Sequence, residues 1–582
     1  MVKLSNVTFL KSVSHTVTRR LIFKMGKRDY SGEEQSQNKK QFYDSRRYIS
    51  PDSTYYRNPI TEQEAQKFDD GKRRKPFDLL QDLMKSQKAD VEAKTVIHWF
   101  REDLRISDNT ALCKAIEKQQ TDKSQLVSVF TINKHDWIAH LDSNFRLTFL
   151  YNALKSLHKA LLELSIPLYV IEFNPEEPTL SNSTTFAHWF KDQCLRLSKG
   201  KPLFLTANAE YPTDELYRDI KIFGTTDERF QFNVFHDTCI VEPCIFKTQQ
   251  NIQYSVFSPW YKKWCAHLMD KKPNDSLVAT SQVKKIQYNE KAFLPDLDFQ
   301  LPAEFTAQGN VAEASEEAAI SRLRKYLEDG IDKYPEKDIL IHESSSHMSA
   351  YLSVGVISAR TVVNEAFHLV PGDKLVGKSP KDMIPMEEFI REVAWRDFYK
   401  HTMSFWPYLS MDLPFNLASE NMKWINEEPN FEKWCYGKTG VPVIDAIMRK
   451  LLLEGYINNR ARMITASFLS KNLLIDWRWG ERWFRNRLID CDLASNVGGW
   501  GFLSSTGVDA QPYFRVFNME RQSQAFDPDG EFIKRWVPEL KDAHNVHSLV
   551  QKAKSYPEAI VDLKGSRQRA LDTYSQGLYQ EK

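Results

Sequence analysis

Between residues 458 and 517 the chain crowds Trp477, Trp479, Trp483 and Trp500 beside Arg460, Arg462, Arg478, Arg482, Arg485, Arg487 and Arg515. The same stretch holds an Asp490-Cys491-Asp492 step and a Gly498-Gly499-Trp500 turn, with Asn496 four residues before Trp500. Indoles stack on flat heterocycles, guanidinium groups bind carboxylates and phosphates, and a carboxylate accepts a ring N–H. Together these types suit a large, flat, partly anionic aromatic ligand, with a phosphate-rich partner outside. Helical spacing gathers more candidates. Phe389, Glu392, Trp395 and Arg396 share a face of the helix expected over 386–405, and Asn459, Arg462 and Met463 share a face of the next. The plainer account of the first group is a buried aromatic with a satisfied Glu–Arg pair. For Asp490 and Asp492 it is helix capping, with one of them paired to Arg462.

The elements that must position these residues fall into two kinds. From residue 95, short apolar runs at 95–100, 125–132, 167–173, 202–207 and 230–236 alternate with helical stretches near 109–119, 143–164, 184–197 and 213–223. That alternation implies an α/β domain with a parallel, doubly wound (Rossmann-like) sheet over 94–240. No G-x-G-x-x-G follows the first strand, so the dinucleotide fingerprint is absent. Residues 241–310 lack steady periodicity and read as a long connector. From 311 to 582 helical periodicity takes over, at 316–329, 386–405, 443–455 and 461–489, which implies an all-α domain.

The chain as a whole narrows the function classes. At 582 residues it exceeds the ~250–300 that one core usually serves. A net charge of +2 means that nucleic-acid binding must come from local patches. Seven scattered cysteines without a CxxC pair indicate reduced thiols. No apolar run nears the ~20 residues of a membrane span. Residues 1–28 are basic, rich in hydroxyls and free of acids, as in a mitochondrial presequence, and Met25 offers a second start that would remove it. The remainder of 1–93 reads as a disordered extension, with Lys72-Arg73-Arg74-Lys75 either a nuclear-import run or a solvated charge cluster.

Seven motifs occur in order: WFREDLR-x-x-DN (99–109), YSVFSPWYKKW (254–264), EVAWRDFY (392–399), GKTGVPVIDAIMR (437–449), NNRARMITASFL (458–469), DWRWGERWF (476–484) and DCDLASNVGGWGF-x-SSTG-x-DAQPYFRVFN (490–518). On these the chain resembles the photolyase/cryptochrome family over roughly 94–570, and within it the fungal (yeast-type) class I cyclobutane pyrimidine dimer photolyases. The resemblance implies an N-terminal antenna domain, a long linker and a C-terminal helical FAD-binding catalytic domain. It implies light-driven repair of cyclobutane pyrimidine dimers by electron transfer from excited reduced FAD, with the dimer flipped into the FAD pocket.

Carried over by residue, the resemblance places Tyr254, Ser345, Ser346 and Ser349 at the FAD phosphates and ribityl chain, with His347 where the family often has Arg. Asn459, Arg462, Asp490 and Asp492 surround the flavin ring, Asn496 faces its N5, and Arg396 is a further FAD contact. Trp500, Trp477 and Trp424 match the family's electron-transfer tryptophans. Glu392, Trp395, Asn459, Met463 and Phe502 meet the lesion, Phe502 standing where the family has a second Trp. Trp395, Arg460 and Arg515 contact DNA, single- or double-stranded. Glu215 in NAEYPTDELYRD (208–219) is the antenna contact, with Met411 where some relatives have Lys, and 5,10-methenyltetrahydrofolate is expected over a deazaflavin. The protein is expected to be a monomer, off the membrane, in nucleus and mitochondrion.

Three rival classes fit less well. A (6-4) photolyase has two His at the positions of Asn459 and Met463. Signalling cryptochromes tend to have Cys or Asp at Asn496, and no long tail follows here. A non-photochemical flavin oxidoreductase leaves the tryptophan row without a purpose.

Overall fold

The computed structural model describes residues 60–86, 92–174, 186–271, 295–333, 340, 345–548 and 555–578. The leader and Met25 lie outside them. The described chain opens with two helices, α1 (Glu62–Asp69) and α2 (Pro76–Lys85). This revises the expectation of disorder over 1–93 for its last third. Thr61 caps α1 and Pro76 starts α2, but what holds them is tertiary: Phe68 joins the core shared with the helical part, while Phe77 and Leu80 join the core on the other face of the sheet. The basic run lies between them and is engaged throughout. Lys72 pairs with Asp70 (2.9 Å), Arg73 with Glu64 (3.4 Å) and Arg74 with Asp82, and the Lys75 ammonium sits 3.1 Å over the Phe405 ring.

Strands β1 (Thr95–Phe100), β2 (Gln125–Ile132), β3 (Leu168–Glu172), β4 (Leu203–Asn208) and β5 (Phe230–Phe235) form one all-parallel sheet in the order β3-β2-β1-β4-β5. Helices α3 (Thr110–Asp122), α4 (Asn144–Glu163), α5 (Phe186–Leu197) and α6 (Thr213–Phe223) connect them. Because side chains alternate along a strand, Val96 and Phe100 enter one core and Ile97 and Trp99 the other. The order reverses between β1 and β4, where an open doubly wound sheet takes its ligands. Here that crevice is filled. Arg101 and Arg218 each lie 4.8 Å from the Trp99 ring, Arg101 pairs with Asp219 (2.8 Å) and Arg218 with Glu210 (2.6 Å).

The stretch expected as a plain connector contains α7 (Phe257–Lys271), whose Trp260 and Trp264 are fully buried. The helical part follows, including α8 (Ala359–Phe367) and α9 (Pro385–Phe405). The expected single helix over 461–489 is three pieces: α10 (Asn459–Ser467), a π-turn at Phe468–Asn472, and α11 (Trp477–Arg485). Leu474 at φ 49 and the Asp476 cap break it. Next comes α12 (Leu493–Ser504). The WFREDLR-x-x-DN motif builds the seam between the parts. Asn109 caps α3, and Arg360 of α8 donates to Asp108 (3.0 Å) and Asp237 (2.7 Å), which Arg105 also binds.

Candidate functional site

The site helices start on polar caps that lie inside the sequence motifs. Asn458 accepts from Ala461 N (2.9 Å) to open α10, Asp476 from Arg478 N (3.0 Å) to open α11, and Asp492 from Ser495 N (2.9 Å) to open α12. With α9 they enclose a cavity of about 490 Å³, the size of a cofactor site. Of the expected residues, Ser345, Ser346, Ser349, Glu392, Trp395, Arg396, Asn459, Arg462, Met463, Asp490, Asp492, Asn496, Trp500 and Phe502 line it, as does His347. Tyr254 does not, nor do Trp477, Trp424 and Arg515.

Electrostatics order the cavity floor. Arg462 Nη2 donates to both oxygens of Asp490 (2.7 and 2.9 Å). Lys400, absent from the sequence expectations, lies 2.6 Å from Asp492. Burial pushes the Asp492 carboxyl up, but the Lys400 ammonium and the Arg396 guanidinium outweigh it and hold it well below the carboxylate range. Asp492 is thus both a helix cap and a charged wall residue. Asn496 Nδ2 donates to the backbone oxygen (3.0 Å) and Oε1 (2.9 Å) of Glu481, so the end left for a ligand is its Oδ1 acceptor. Glu481 is in turn held by Arg485 (2.5 Å).

At the mouth, Trp395 stacks flat on Phe257, with centroids 3.7 Å apart and planes at 6°. Beside it Glu392 lies 3.7 Å from Arg391, with 39% of its side chain accessible at the cavity wall. Desolvation raises the Glu392 carboxyl above its ordinary range, with Arg391 pulling back. Arg460 lies over the Phe526 ring (4.6 Å), and Arg515 is exposed. The other arginines of the stretch do not face outward. Arg478 pairs with Asp476 and Glu420, Arg482 with Asp412, and all three arginines at 478, 482 and 485 are buried.

Trp500 and Trp477 are buried and Trp424 is half-exposed. Glu215 sits in the first turn of α6, half-buried. The turn Pro407–Met411 packs on that helix through Thr213 and Ser410 (2.6 Å), with Met411 buried.

Lys400 and Phe257 were both within reach of sequence reasoning. Lys400 continues the i, i+4 row of Glu392 and Arg396, and Phe257 lies inside YSVFSPWYKKW. Among the described residues no group of His, Cys, Asp and Glu could hold a metal, all seven cysteines are free, and no helix is long and apolar enough to cross a membrane.

The residues present fit FAD. Arg396 Nε and Trp500 Nε1 are buried donors without a protein acceptor on side chains that line the cavity. Serine hydroxyls, two cation-matched carboxylates and an amide acceptor line the same cavity. Gly499 leaves open wall where a Cβ would stand.

Comparisons agree with this geometry. Residues 96–278 match the family described as DNA photolyase, and residues 389–576 match the FAD-binding domain of DNA photolyase. The chain is 47% identical over 549 residues to the mitochondrial deoxyribodipyrimidine photo-lyase of Saccharomyces cerevisiae, covering 92% of this chain and 96% of the relative. It is 35% identical over 577 residues to the deoxyribodipyrimidine photo-lyase of Neurospora crassa, covering 90% and 89%. A class III photolyase from Agrobacterium tumefaciens superposes with a TM-score of 0.67 at 26% identity, over 84% of this chain and 98% of that one. An archaeal photolyase from Sulfolobus tokodaii, solved with two FAD molecules, gives 0.64 at 28%, over 83% and 100%. The chain is a class I member of the DNA photolyase family, closely related to its fungal photolyases.

Proposed function

We propose that this protein is a deoxyribodipyrimidine photo-lyase that repairs cyclobutane pyrimidine dimers in DNA under blue light. The observation that carries this reading is one cavity whose floor suits a flavin and whose mouth presents Glu392, Trp395, Met463 and Phe502 to a second flat ligand. FAD, bound in its reduced form, would supply one-electron donation to the dimer on excitation, and the electron would return to it after the ring opens.

The chain's own residues position and polarise. Arg462 and Lys400 hold the two aspartates, and Asn496 offers its carbonyl oxygen to a ring N–H. Trp395, backed by Phe257, presents one face for stacking. Glu392, its proton affinity raised, donates to a dimer carbonyl and stabilises the charge that develops there. Met463 and Asn459 bound the lesion, Phe502 stacks with less surface than an indole, and Arg460 and Arg515 hold the DNA backbone. A dimer is already poorly stacked, which lowers the cost of flipping it. Trp500, Trp477 and Trp424 carry electrons inward from the surface.

For the antenna we favour 5,10-methenyltetrahydrofolate at the seam beside Glu215. What supports this over a deazaflavin is the ionic filling of the β1–β4 crevice, where a ring cofactor would otherwise sit. We take the protein as a monomer, with residues 94–240 as the antenna domain, 241–310 as linker and 311–582 as the catalytic domain.

The basic leader, with the mitochondrial Saccharomyces relative, supports residence in mitochondria. A nuclear share rests on the basic run 72–75, of which Lys72 and Arg74 stay exposed. Imaging a Met25→Ala variant and a deletion of residues 2–24 separates the two destinations.

The deciding experiment is repair of a thymine-dimer oligonucleotide by the reduced holoprotein in blue light against darkness. Light-dependent recovery of intact thymines is expected. No recovery with reduced FAD bound would move the chain to the signalling branch.

A further inference from the structure

Lys471 is fully buried, yet makes no ion pair among the described residues. A buried ammonium without a counter-ion is destabilising, and a methionine would pack the same stem without that penalty. Its surroundings show what the amine does. Nζ donates to the backbone oxygens of Arg515 (2.9 Å) and Tyr513 (3.4 Å), and lies 5.7 Å from the Tyr574 ring. Burial first, and then the like charge of Arg515 facing it, lowers the Lys471 pKa to about 7, so what holds the loop is the pair of hydrogen bonds rather than the charge. Arg569 binds the neighbouring Asn472 oxygen from the far side (2.7 Å).

The loop so held runs from Pro512 to Val516 and presents Phe514 and Arg515 to solvent. Its own hydrogen bonds are few: Arg515 N to Pro512 O (2.9 Å) and Val516 N to Phe514 O (3.1 Å). At its base Gln511 binds the oxygens of Phe502 (3.2 Å) and Leu503 (3.3 Å), on the helix that carries Phe502 at the cavity. Lys471 itself stands on the π-turn that continues α10, the helix of Asn459, Arg460 and Met463. One continuous element therefore carries a wall of the lesion pocket and the clamp on the loop opposite.

We propose that Lys471 is a positioning residue for DNA: its Nζ donates to the Tyr513 and Arg515 carbonyls and so holds the Arg515 guanidinium at the phosphate backbone beside the flipped dimer. This rests on the DNA-facing reading of Arg515 given above.

The test measures binding of a dimer-containing duplex to the FAD-loaded protein across salt concentrations, for Lys471→Met, Lys471→Arg, Arg515→Ala and the Met/Ala double variant. Lys471→Met should weaken binding roughly tenfold and lower the log–log salt slope by about one, as Arg515→Ala does. FAD content of Lys471→Met should stay unchanged. Lys471→Arg should restore binding, and the double variant should bind no worse than Lys471→Met. Weakening by Arg515→Ala alone would overturn the latch and leave the DNA-facing reading standing. No weakening by either would overturn that reading of the loop, and the latch with it. Failure of both Lys471 variants to fold would also overturn the latch, since holding an exposed loop is not a condition of folding.

Discussion

At the scale of single residues, the cavity separates charged groups that must stay charged from one that gains by being neutral. Asp492 is kept ionised by Lys400, whereas Glu392, desolvated at the mouth, has its carboxyl raised. A carboxyl that retains its proton can donate to a dimer carbonyl, and it loses that ability as pH rises through its raised pKa. Repair per photon should therefore fall with rising pH in the native protein and stay flat in Glu392→Gln. Glu392→Ala should lower it about two- to tenfold, the scale of one net hydrogen bond, with flavin content unchanged. Quantum yields across a pH series check both. Lys400→Met should remove about 3–5 kcal/mol of stability by stranding a buried carboxylate, and weaken FAD retention; thermal melts with and without FAD measure it. The sequence exposed Glu392 and Asp492 through motif and spacing. It did not expose which aspartate each cation would meet, because that depends on how far α9 leans toward the loop 490–492.

At the scale of elements, the close approach of α11 and α12 places Trp500. A Cβ at Gly480 would collide with the Trp500 ring. Gly480→Ala should then shift Trp500, cost about 1–3 kcal/mol as overpacking, and slow light-driven reduction of the flavin, with DNA binding unchanged. Absorbance recovery under blue light without DNA reads the effect. The strands were legible to within a residue, since buried parallel strands are continuous apolar runs. The break inside 461–489 was not, because apolar periodicity continues through the π-turn at Phe468–Asn472. Nor were α1 and α2 legible. Helices of 8 and 10 residues are marginal alone, and Phe68, Phe77 and Leu80 find their partners only across two cores.

For the whole molecule, the decisive feature is the buried ionic knot at the seam, where Asp237 and Asp108 meet Arg105 and Arg360. Burial pushes the Asp237 carboxyl up, but the two guanidinium groups hold it well below the usual range. Its folded pKa is depressed, so the stability it contributes is full above about pH 4 and is lost as acid protonates it. Asp237→Asn should remove about 3–5 kcal/mol at neutral pH and flatten the acid limb of the stability profile, as denaturant titrations at about pH 7 and about pH 3 would show. One core runs from β1 through the helical part to Trp500, so loosening the seam should also lower FAD retention.

The sequence by itself determined the two-part architecture and the residue types of the site. These depend on local periodicity, on side-chain types and on motifs long enough to be distinctive. Only the tertiary structure decided which arginines stay exposed and which are sealed in internal pairs, and that Lys400 and Phe257 support the site. It also decided that the basic run 72–75 lies between two docked helices with Lys72 and Arg74 exposed, and that Lys471 reaches the loop of Arg515. Such pairings join residues tens to hundreds of positions apart. A side chain carries its charge in the sequence but acquires its partner, and its distance from water, only when distant elements pack.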